Sequence, residues 1–143
     1  MRIKQISVFL ENRQGRLYDV CSLLGGNDIN IRALTIAETE SFGVLRIVVD
    51  KSDAAIKLLR DNQFVANFTD VIAIEVPDKP GGLASILKVL AENDVNIEYM
   101  YGFVEKFSDK ALLVMRFEDT DFAQQMLAKH SVHVVAEKDI QGL

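Results

Sequence analysis

One motif occurs twice in this chain of 143 residues. The segment 11–17, with the sequence ENRQGRL, recurs at 77–83 as PDKPGGL. The segment 27–31, NDINI, recurs at the same spacing as NDVNI in 93–97. Self-similarity at a fixed spacing indicates that one structural unit, present twice, makes up the chain. The two copies can therefore be compared with each other position by position.

The repeat predicts two domains, residues 1–69 and 70–143, which meet near Asp70 without a flexible linker. A unit of about 70 residues buries only roughly 60% of the surface that its unfolded chain exposes. Each copy therefore needs its twin or another chain for stability. We expect a homodimer or a higher homo-oligomer.

Charge and hydropathy exclude several classes of function. The 21 acidic residues outnumber the 16 basic ones, which gives a net charge of -5 and no broad positive field for a phosphate backbone. Nucleic acid is therefore not an expected partner. No apolar run approaches the ~20 residues of a membrane span, and the first residues lack a signal-peptide core. The single cysteine, Cys21, excludes an internal disulfide. We expect a cytoplasmic protein that does not bind membranes.

Hydrophobic periodicity predicts the element order βαββαβ in each copy. Apolar residues alternate over 6–10 and 72–76, as in strands, and take a helical period after each glycine loop. Second strands are predicted at 30–38 and 96–105, followed by polar turns at 39–41 and 106–109. Short final strands are predicted near 64–68 and 132–136. The predicted buried positions of the helices are Leu17, Val20, Cys21, Leu24, Ala55, Leu58 and Leu59, and Leu83, Ile86, Leu87, Leu90, Ala123, Met126 and Leu127.

This order predicts an α+β fold with two ferredoxin-like repeats, in which two helices cover one face of an antiparallel sheet. Acidic residues at 50–53 and 118–121 can cap the second helix of each copy. The other sheet face carries Val48, Val71, Ala73, Tyr99 and Tyr101. Such a face is too apolar to meet water, so we expect it to be covered.

The loops between the first strand and the first helix are the best candidates for chemistry. The first N–H groups of a helix lack internal partners and can bind an anion such as a carboxylate. Asn12 and Asp78 lie at the mouths of these loops. An Asp there can pair with an ammonium group, and an Asn can accept a hydrogen bond from it. The loops therefore match the backbone groups of an amino acid, although an ordinary strand-to-helix turn has the same pattern.

The segments 11–17 and 27–31 together resemble the ACT domain, especially the serine-sensing domain of bacterial phosphoglycerate dehydrogenases. The second copy resembles the more general ACT pattern, Asp-x-Pro-Gly-x-Leu, at 78–83. The resemblance implies a tandem pair of ACT domains with no catalytic domain attached. ACT domains commonly sense amino acids, pair side by side into an eight-stranded sheet and hold their effectors at the interface.

The resemblance also implies which residues hold the effector. Asn12 and Asp78 correspond to the residue that holds its polar groups, and Asn30 and Asn96 to an asparagine contributed across the interface. For these two asparagines, a capping role in the helix-to-strand turn is an equal alternative. The implied sites are Asn12, Gln14, Gly15, Arg16 and Leu17 facing Asn96 and Ile97, and Asp78, Lys79, Pro80, Gly81, Gly82 and Leu83 facing Asn30 and Ile31.

Two positions depart from the family pattern. Gln14 stands where the family usually has proline, and Arg16 adds a bulky cation where the second copy has Gly82. The two sites are therefore not expected to be equivalent. The Asp78 loop is the better partner for an ammonium group, whereas the Asn12 loop is nearer to the serine-sensing pattern.

The remaining reactive side chains form no expected metal or catalytic set, and no cofactor is expected. Cys21 occupies a core position, because its twin is Leu87. His130 lies at a helix end and His133 in the last short strand, without a recurring ligand spacing. Tyr99, Tyr101 and Phe103 either line a pocket for an aromatic ligand or pack against a neighbour.

We therefore expect a regulatory protein that is not an enzyme. Its effector is a free amino acid, serine or a larger one, bound between the two repeats. Its partner is a separately encoded enzyme of amino-acid metabolism, in the way of the small regulatory subunit of acetolactate synthase. The alternative is a ligand-free module whose ACT repeats serve only for oligomerisation.

Overall fold

The structure, a computed structural model, describes residues 2–11, 13–38, 42–104 and 110–142. Asn12, the predicted turns at 39–41 and 106–109, and the predicted strand end at Glu105 lie outside these described residues. The chain divides into two units. The first unit is Lys4–Thr69, and the second is Asp70–Leu143 together with Met1–Ile3.

The first unit has the predicted order of strands and helices. It contains β1 (Ile3–Glu11), α1 (Arg16–Gly26), β2 (Ile31–Glu38), β3 (Phe42–Val49), α2 (Ser52–Asp61) and the beginning of β4 (Val65–Pro77). Strand β3 pairs antiparallel with both β1 and β2. Glu11 lies opposite Phe42 at one end of β3, and Ile31 lies opposite Val49 at the other end.

The second unit repeats this order and adds a helix. The remainder of β4 is followed by α3 (Gly82–Glu92), β5 (Ile97–Gly102), β6 (Lys110–Phe117), α4 (Thr120–Lys129), β7 (Val134–Val135) and α5 (Glu137–Gln141). The strand order in this unit is β7-β4-β6-β5, with antiparallel pairs. The predicted α+β fold with two βαββαβ repeats is confirmed.

Three predicted elements differ from the observed ones. The strands predicted near 64–68 and at 72–76 are parts of one strand, β4, which continues through Thr69, Asp70 and Val71. The final strand predicted at 132–136 has only two residues, and the short helix α5 that follows it was not predicted. Strand β5 ends at Gly102, earlier than predicted. The domain limits 1–69 and 70–143 stay a prediction.

The core of the first unit lies between one sheet face and the two helices. The predicted strand residues Ile6, Val8 and Leu10 are buried in it, as the alternation requires. The buried residues of this core are Ile6, Val8, Leu10, Val20, Leu24, Ile29, Leu45, Ile47, Val49, Ala55, Ile56, Leu59, Phe64 and Ala66.

The second unit has an equivalent core. Its buried residues are Ile72, Ile74, Val76, Ile86, Leu90, Met115, Phe117, Ala123 and Leu127. Leu83 and Leu87 pack against this core and are partly buried. The helix stripes predicted for this unit therefore face the sheet, except that Met126 is only partly buried and is not part of this core.

Three helix positions of the first unit that were predicted to be buried, Leu17, Cys21 and Leu58, are not fully buried. Leu17 is 37% exposed, because it lies in the first turn of α1, next to the glycine loop and beyond the core. Leu58 is only partly buried and packs against the core, whereas Ile56, which was not predicted to be buried, is buried. The helical period gave the buried face correctly, but it did not give its edges.

Part of the sheet face opposite the helices is also buried, whereas Phe9 on this face of β1 is 45% exposed. The predicted burial is confirmed for Val48, Val71, Ala73 and Tyr101, whereas Tyr99 is only partly buried. The Tyr99 and Tyr101 rings are stacked, with centroids 6.4 Å apart. Gln5 of β1 is 0% exposed. The sequence did not predict the burial of this polar side chain.

The starts of the second helices agree with the predicted capping in one copy. Asp119 caps α4, since its Oδ1 accepts a hydrogen bond of 3.0 Å from the Phe122 N–H. Helix α2 begins after Lys51 and has no side-chain cap. Asp50 instead accepts a 2.9 Å hydrogen bond from the Asn30 N–H. Asp50 therefore stabilises the turn at Asn30 and does not cap α2.

Cys21 lies on α1 and is half-buried, which is less than the predicted core position. Burial raises the pKa of its thiol above the ordinary value. Desolvation disfavours the thiolate, which is the reactive form of cysteine. Cys21 is therefore a poorly activated nucleophile.

The two cores can be tested with a matched pair of substitutions at repeat-equivalent positions. Leu59→Ala and Leu127→Ala should each lower the free energy of unfolding by about 2–5 kcal/mol, because each removes a fully buried side chain and leaves a cavity. Urea unfolding followed by circular dichroism measures the loss. Leu34→Ala, at an exposed position of β2, is the control and should cost about 0.5 kcal/mol or less. Equal losses in all three variants would contradict the assignment of the cores.

The Cys21 thiol provides a second test. Because its raised pKa lowers the thiolate fraction, the folded protein should react with Ellman's reagent at pH 8 more slowly than the protein in urea. Stopped-flow absorbance measures both rates. A reaction equally fast in the folded and unfolded protein would show that the fold does not protect this thiol.

Candidate functional site

The two glycine loops have the same backbone geometry. Gly15 and Gly81 precede α1 and α3 with φ of 88° and 83°, a left-handed conformation that glycine adopts without strain. Each glycine oxygen accepts the first hydrogen bond of its helix, from the Asp19 N–H at 2.9 Å and from the Ser85 N–H at 3.0 Å. The glycine of each motif therefore turns the chain from strand into helix.

Neither helix start is capped by a side chain. Glycine has no side chain to accept bonds from the first N–H groups, which carry the positive end of the helix dipole. Such a helix start is suited to a carboxylate. Asp78 precedes the second of these starts by four residues and is exposed.

The loops differ at one position because of a close backbone approach. A Cβ atom at Gly82 would lie 2.1 Å from the Pro77 carbonyl oxygen, so a side chain there requires a backbone shift. The Gly82 N–H donates to the Lys79 oxygen at 3.0 Å. In the first copy the equivalent bond, from the Arg16 N–H to Arg13, is longer, 3.4 Å. The first loop is thus slightly wider where it carries a side chain.

A cleft of about 220 Å³ lies beside the first loop, between the loop and the adjacent ends of β2 and β3. We call it the first-loop cleft. Its lining residues are Leu10, Glu11, Arg13, Gly15, Arg16, Leu17, Ile36, Glu38 and Gly43.

A cleft of about 180 Å³ lies beside Asp78 in the second unit, and we call it the second-loop cleft. Its lining residues are Asp78, Gly102, Phe103, Val104, Ala111, Leu112 and Leu113. The strand ends that line it are equivalent to those of the first-loop cleft, since Gly102 and Val104 are the twins of Ile36 and Glu38. Both copies therefore place a cleft between the glycine loop and the same strand ends.

Arg16 lines the first-loop cleft, and its guanidinium lies on Phe64, which is not among the residues that line this cleft. Its guanidinium carbon lies 4.4 Å from the centroid of the Phe64 ring, which is a cation–π contact. Its Nη1 lies 3.4 Å from Asp19 Oδ2, and its side chain is 20% exposed. Within the described part of the chain, its buried Nε has no hydrogen-bond partner. Stacking on Phe64 fixes the position of the arginine side chain, and this side chain does not close the cleft.

The predicted asparagines hold the turn in both copies. The Asn30 oxygen accepts a 3.2 Å bond from the Asp50 N–H, and the Asn96 oxygen accepts a 3.1 Å bond from the Glu118 N–H. The Asn96 Nδ2 also donates to Glu118 Oε2 at 3.1 Å. The Asn96 side chain therefore takes part in the turn, whereas the bonds given for Asn30 use only its backbone. The assignment of both asparagines to the site stays a prediction.

The structure does not bring either asparagine to the loop of its own unit. The first loop follows Glu11, opposite Phe42, whereas Asn30 precedes Ile31, opposite Val49. The eight residues of β3 between these ends span about 23 Å. The register of the second unit is equivalent. Within each unit, the loop and the asparagine lie at opposite ends of the sheet.

The other predicted site residues differ in their exposure to solvent. Gln14, Lys79, Pro80, Gly81, Asn30 and Asn96 are exposed, and Leu83, Ile31 and Ile97 are partly buried. Gly82 lines a third cleft, on the other side of the second loop.

Of the strand ends that line the two clefts, the sequence indicated Phe103 as a possible pocket residue but did not indicate others such as Ile36 and Glu38. Comparison of the two copies could have indicated them, because they follow each Asn-Ile segment at the same spacing. No residue type there suggests binding, so composition alone gave no signal.

Among the described residues, no group of three or more His, Cys, Asp or Glu side chains is placed to hold a metal ion. His130 Nε2 lies 3.4 Å from Asn93 Nδ2, at the end of α4. The helices described here are all too short or too polar to span a membrane.

Comparison with solved structures includes a protein that is similar over its whole length. Protein BT0572 from Bacteroides thetaiotaomicron is 41% identical, and the match covers 100% of this chain and 98% of that one with a TM-score of 0.92. Two more distant structures share the fold. They are the regulatory subunits of aspartate kinase from Thermus thermophilus, at 14% identity and TM-score 0.61, and from Thermus flavus, at 15% and 0.57. These matches cover 88% and 87% of this chain, and 90% and 88% of theirs.

A comparison with curated proteins gave no match. The family model of the ACT domain pair matches residues 1–143, the full length of the sequence. The duplicated loop, the two βαββαβ units and this match agree with the resemblance found in the sequence. The chain belongs to the ACT domain pair family.

Proposed function

We propose that this chain is a regulatory protein, without catalytic activity of its own, that binds a free amino acid at its glycine loops and signals to a partner enzyme. The observation that carries the proposal is the repeated cleft. Both units place a cleft between the loop and the same strand ends, although the side chains that line the two clefts differ. A shape kept in both copies while its lining changes is typical of related sites for small ligands.

The groups around the clefts are complementary to an amino acid. The uncapped starts of α1 and α3 can receive its carboxylate. The Asp78 carboxylate can receive its ammonium group in a charge-assisted hydrogen bond. In the first copy, Arg16 adds a cation for the carboxylate and Asn12 replaces the acid. The Asp78 loop is thus the better site for a ligand with a free ammonium group.

The size of the clefts favours a compact ligand and a site with a second wall. Both are smaller than the roughly 300–1,000 Å³ of complete small-molecule pockets. We propose that the wall comes from another repeat, in the same chain or in a second one. Asn96 and Ile97 would complete the site of the first loop, and Asn30 and Ile31 that of the second. Within one unit, the loop and the asparagine lie at opposite ends of the sheet. A site that uses both therefore needs a second repeat.

A ligand held by two repeats can regulate by linkage. It stabilises whichever arrangement of the repeats, residues 1–69 and 70–143, presents both sets of groups at once. A partner that prefers this arrangement binds more tightly when the amino acid is present, and the same coupling acts in reverse. A homo-oligomer in the cytoplasm and a separately encoded enzyme of amino-acid metabolism are parts of this proposal. The two Thermus proteins are named as regulatory subunits of an enzyme, which is the kind of role proposed here.

Asp78→Ala tests the ammonium contact. A thermal-shift screen against the common amino acids first identifies the ligand, and isothermal titration calorimetry then measures its Kd. Loss of a hydrogen bond to a charged group costs about 1.5–3 kcal/mol, so the Kd at the second loop should rise roughly tenfold or more. Asp78→Asn, which introduces the residue of the first loop, should have a smaller effect.

Asp53→Asn is the matched control, because it removes the same charge from an exposed helix start in the other unit. Its Kd should equal that of the unchanged protein. Thermal unfolding of each variant shows whether the fold is kept. Unchanged binding in Asp78→Ala would refute the site, and the absence of any amino-acid ligand would favour the ligand-free oligomerisation module.

The composition of the sites predicts which substitutions act together. Asp78→Ala and Asn30→Ala should weaken one site, so their effects on the Kd should not add. Asn96→Ala should act on the site of the first loop instead. Calorimetry on the single and double variants, with two binding sites per chain fitted, measures these couplings. Additive effects of Asp78→Ala and Asn30→Ala would show that they do not share a ligand.

A further inference from the structure

A third cleft, of about 320 Å³, lies entirely within the second unit. We call it the Glu75 cleft. It is bounded by the end of β4, the first half of α3 and the segment that follows α4. Its volume reaches the range of complete small-molecule pockets, roughly 300–1,000 Å³, which the two loop clefts do not.

The cleft exists because two side chains that fill the equivalent place in the first unit are missing here. There, the Arg16 guanidinium lies over the Phe64 ring, and the arginine is only 20% exposed. The twins of these residues are Gly82 and Val132, which both line the Glu75 cleft. Glycine contributes no side chain, and valine is smaller than phenylalanine. The second copy therefore leaves open a space that the first copy fills.

A charged cluster lies at one side of the cleft. Glu75 is only 12% exposed, and its Oε2 lies 3.2 Å from Lys110 Nζ. Its Oε1 lies 3.7 Å from His133 Nε2, which is longer than a hydrogen bond. The Glu75 N–H also donates to the His133 carbonyl oxygen at 3.1 Å, so the backbone holds these two segments together beside the cleft.

None of these three polar side chains is present in the first copy. The twins of Glu75, Lys110 and His133 are Phe9, Phe42 and Val65. The twin of His130, which also lines the cleft, is Asn62. The open space and the charged cluster thus occur together, in one copy only. Structural needs shared by both repeats do not explain either feature, since the first unit folds without them.

The opposite side of the cleft is apolar, with Pro77, Ile86, Val89 and Val132. A carboxylate with little water access attracts a ligand ammonium group, and an ammonium can approach Oε1, which lies beyond hydrogen-bond distance of His133 Nε2. Lys110 is about half exposed and can turn to a ligand carboxylate. The apolar wall fits a branched hydrocarbon side chain.

From this arrangement we infer that the Glu75 cleft is a separate binding site for a small apolar amino acid, held as a zwitterion. The ammonium group contacts Glu75, the carboxylate contacts Lys110 and the imidazole of His133 or His130, and the side chain packs on Ile86, Val89 and Val132. This site differs from the loop clefts in location and composition. It needs no residue of the first unit.

The inference is tested by NMR titration of the full chain with L-leucine as the probe. Leucine should shift the methyl signals of Ile86, Val89 and Val132 in a saturable way. Two probes with one charge each, 3-methylbutylamine and 3-methylbutanoate, should bind roughly tenfold more weakly, because each lacks one of the two charged contacts. Equal affinity of all three probes would overturn the inference that the site binds both charged groups of the amino acid.

Two variants locate the site. Glu75→Gln keeps the shape and removes the charge, and it should weaken leucine binding roughly tenfold or more. Val132→Phe introduces the residue of the first copy and should abolish binding by filling the space. Asp53→Asn is the control and should bind leucine as the unchanged protein does. The dispersion of the amide signals verifies that each variant is folded.

The outcomes separate this inference from the proposed function. Shifts at the cleft methyls that Glu75→Gln and Val132→Phe remove, but Asp78→Ala does not, establish the third site. Shifts confined to the glycine loops would overturn it while supporting amino-acid binding at the loops. Cleft shifts that survive both cleft variants, or no cleft shifts with leucine, would also overturn it.

Discussion

The left-handed turn at Gly15 and Gly81 determines much of each repeat. It directs α1 and α3 back over the sheet, so that their apolar stripes meet the core. It also removes the side chain that would otherwise cap the helix, which leaves the first N–H groups available at the loop. One conformational requirement therefore serves the fold and creates the anion-binding end of a helix. A non-glycine residue in this conformation is strained, so the position is restricted before any ligand is considered.

The sequence predicted the architecture well because the relevant signals are periodic. Ile6, Val8 and Leu10 alternate as a strand facing helices requires, and the second copy repeats the pattern. Extent was harder to predict than type. Leu17 satisfies the helical period but lies in the first turn, beyond the core. Periodicity identifies a face, but only packing shows where that face ends.

The candidate site was predicted in part for a related reason. Motifs mark the backbone that must take an unusual conformation, and both glycines were found in this way. The walls of the clefts come from strand ends such as Ile36 and Phe103, where several residue types would serve. The Glu75 cleft was not predicted at all, because it depends on a contact between Arg16 and Phe64 in one copy and on its loss in the other. A contact between two residues this far apart in the sequence is visible only in the three-dimensional structure.

The close approach of Gly82 to the Pro77 oxygen has an evolutionary consequence. Every substitution of this glycine adds a Cβ that meets the carbonyl at 2.1 Å, so no single mutation there restores the arginine of the first copy without moving the backbone. Once the loop has narrowed, the open space can be refilled only from other positions or after a second change. The narrow loop thus limits how the second copy can change, because the cleft can be filled from a position such as Val132 but not by a side chain at Gly82.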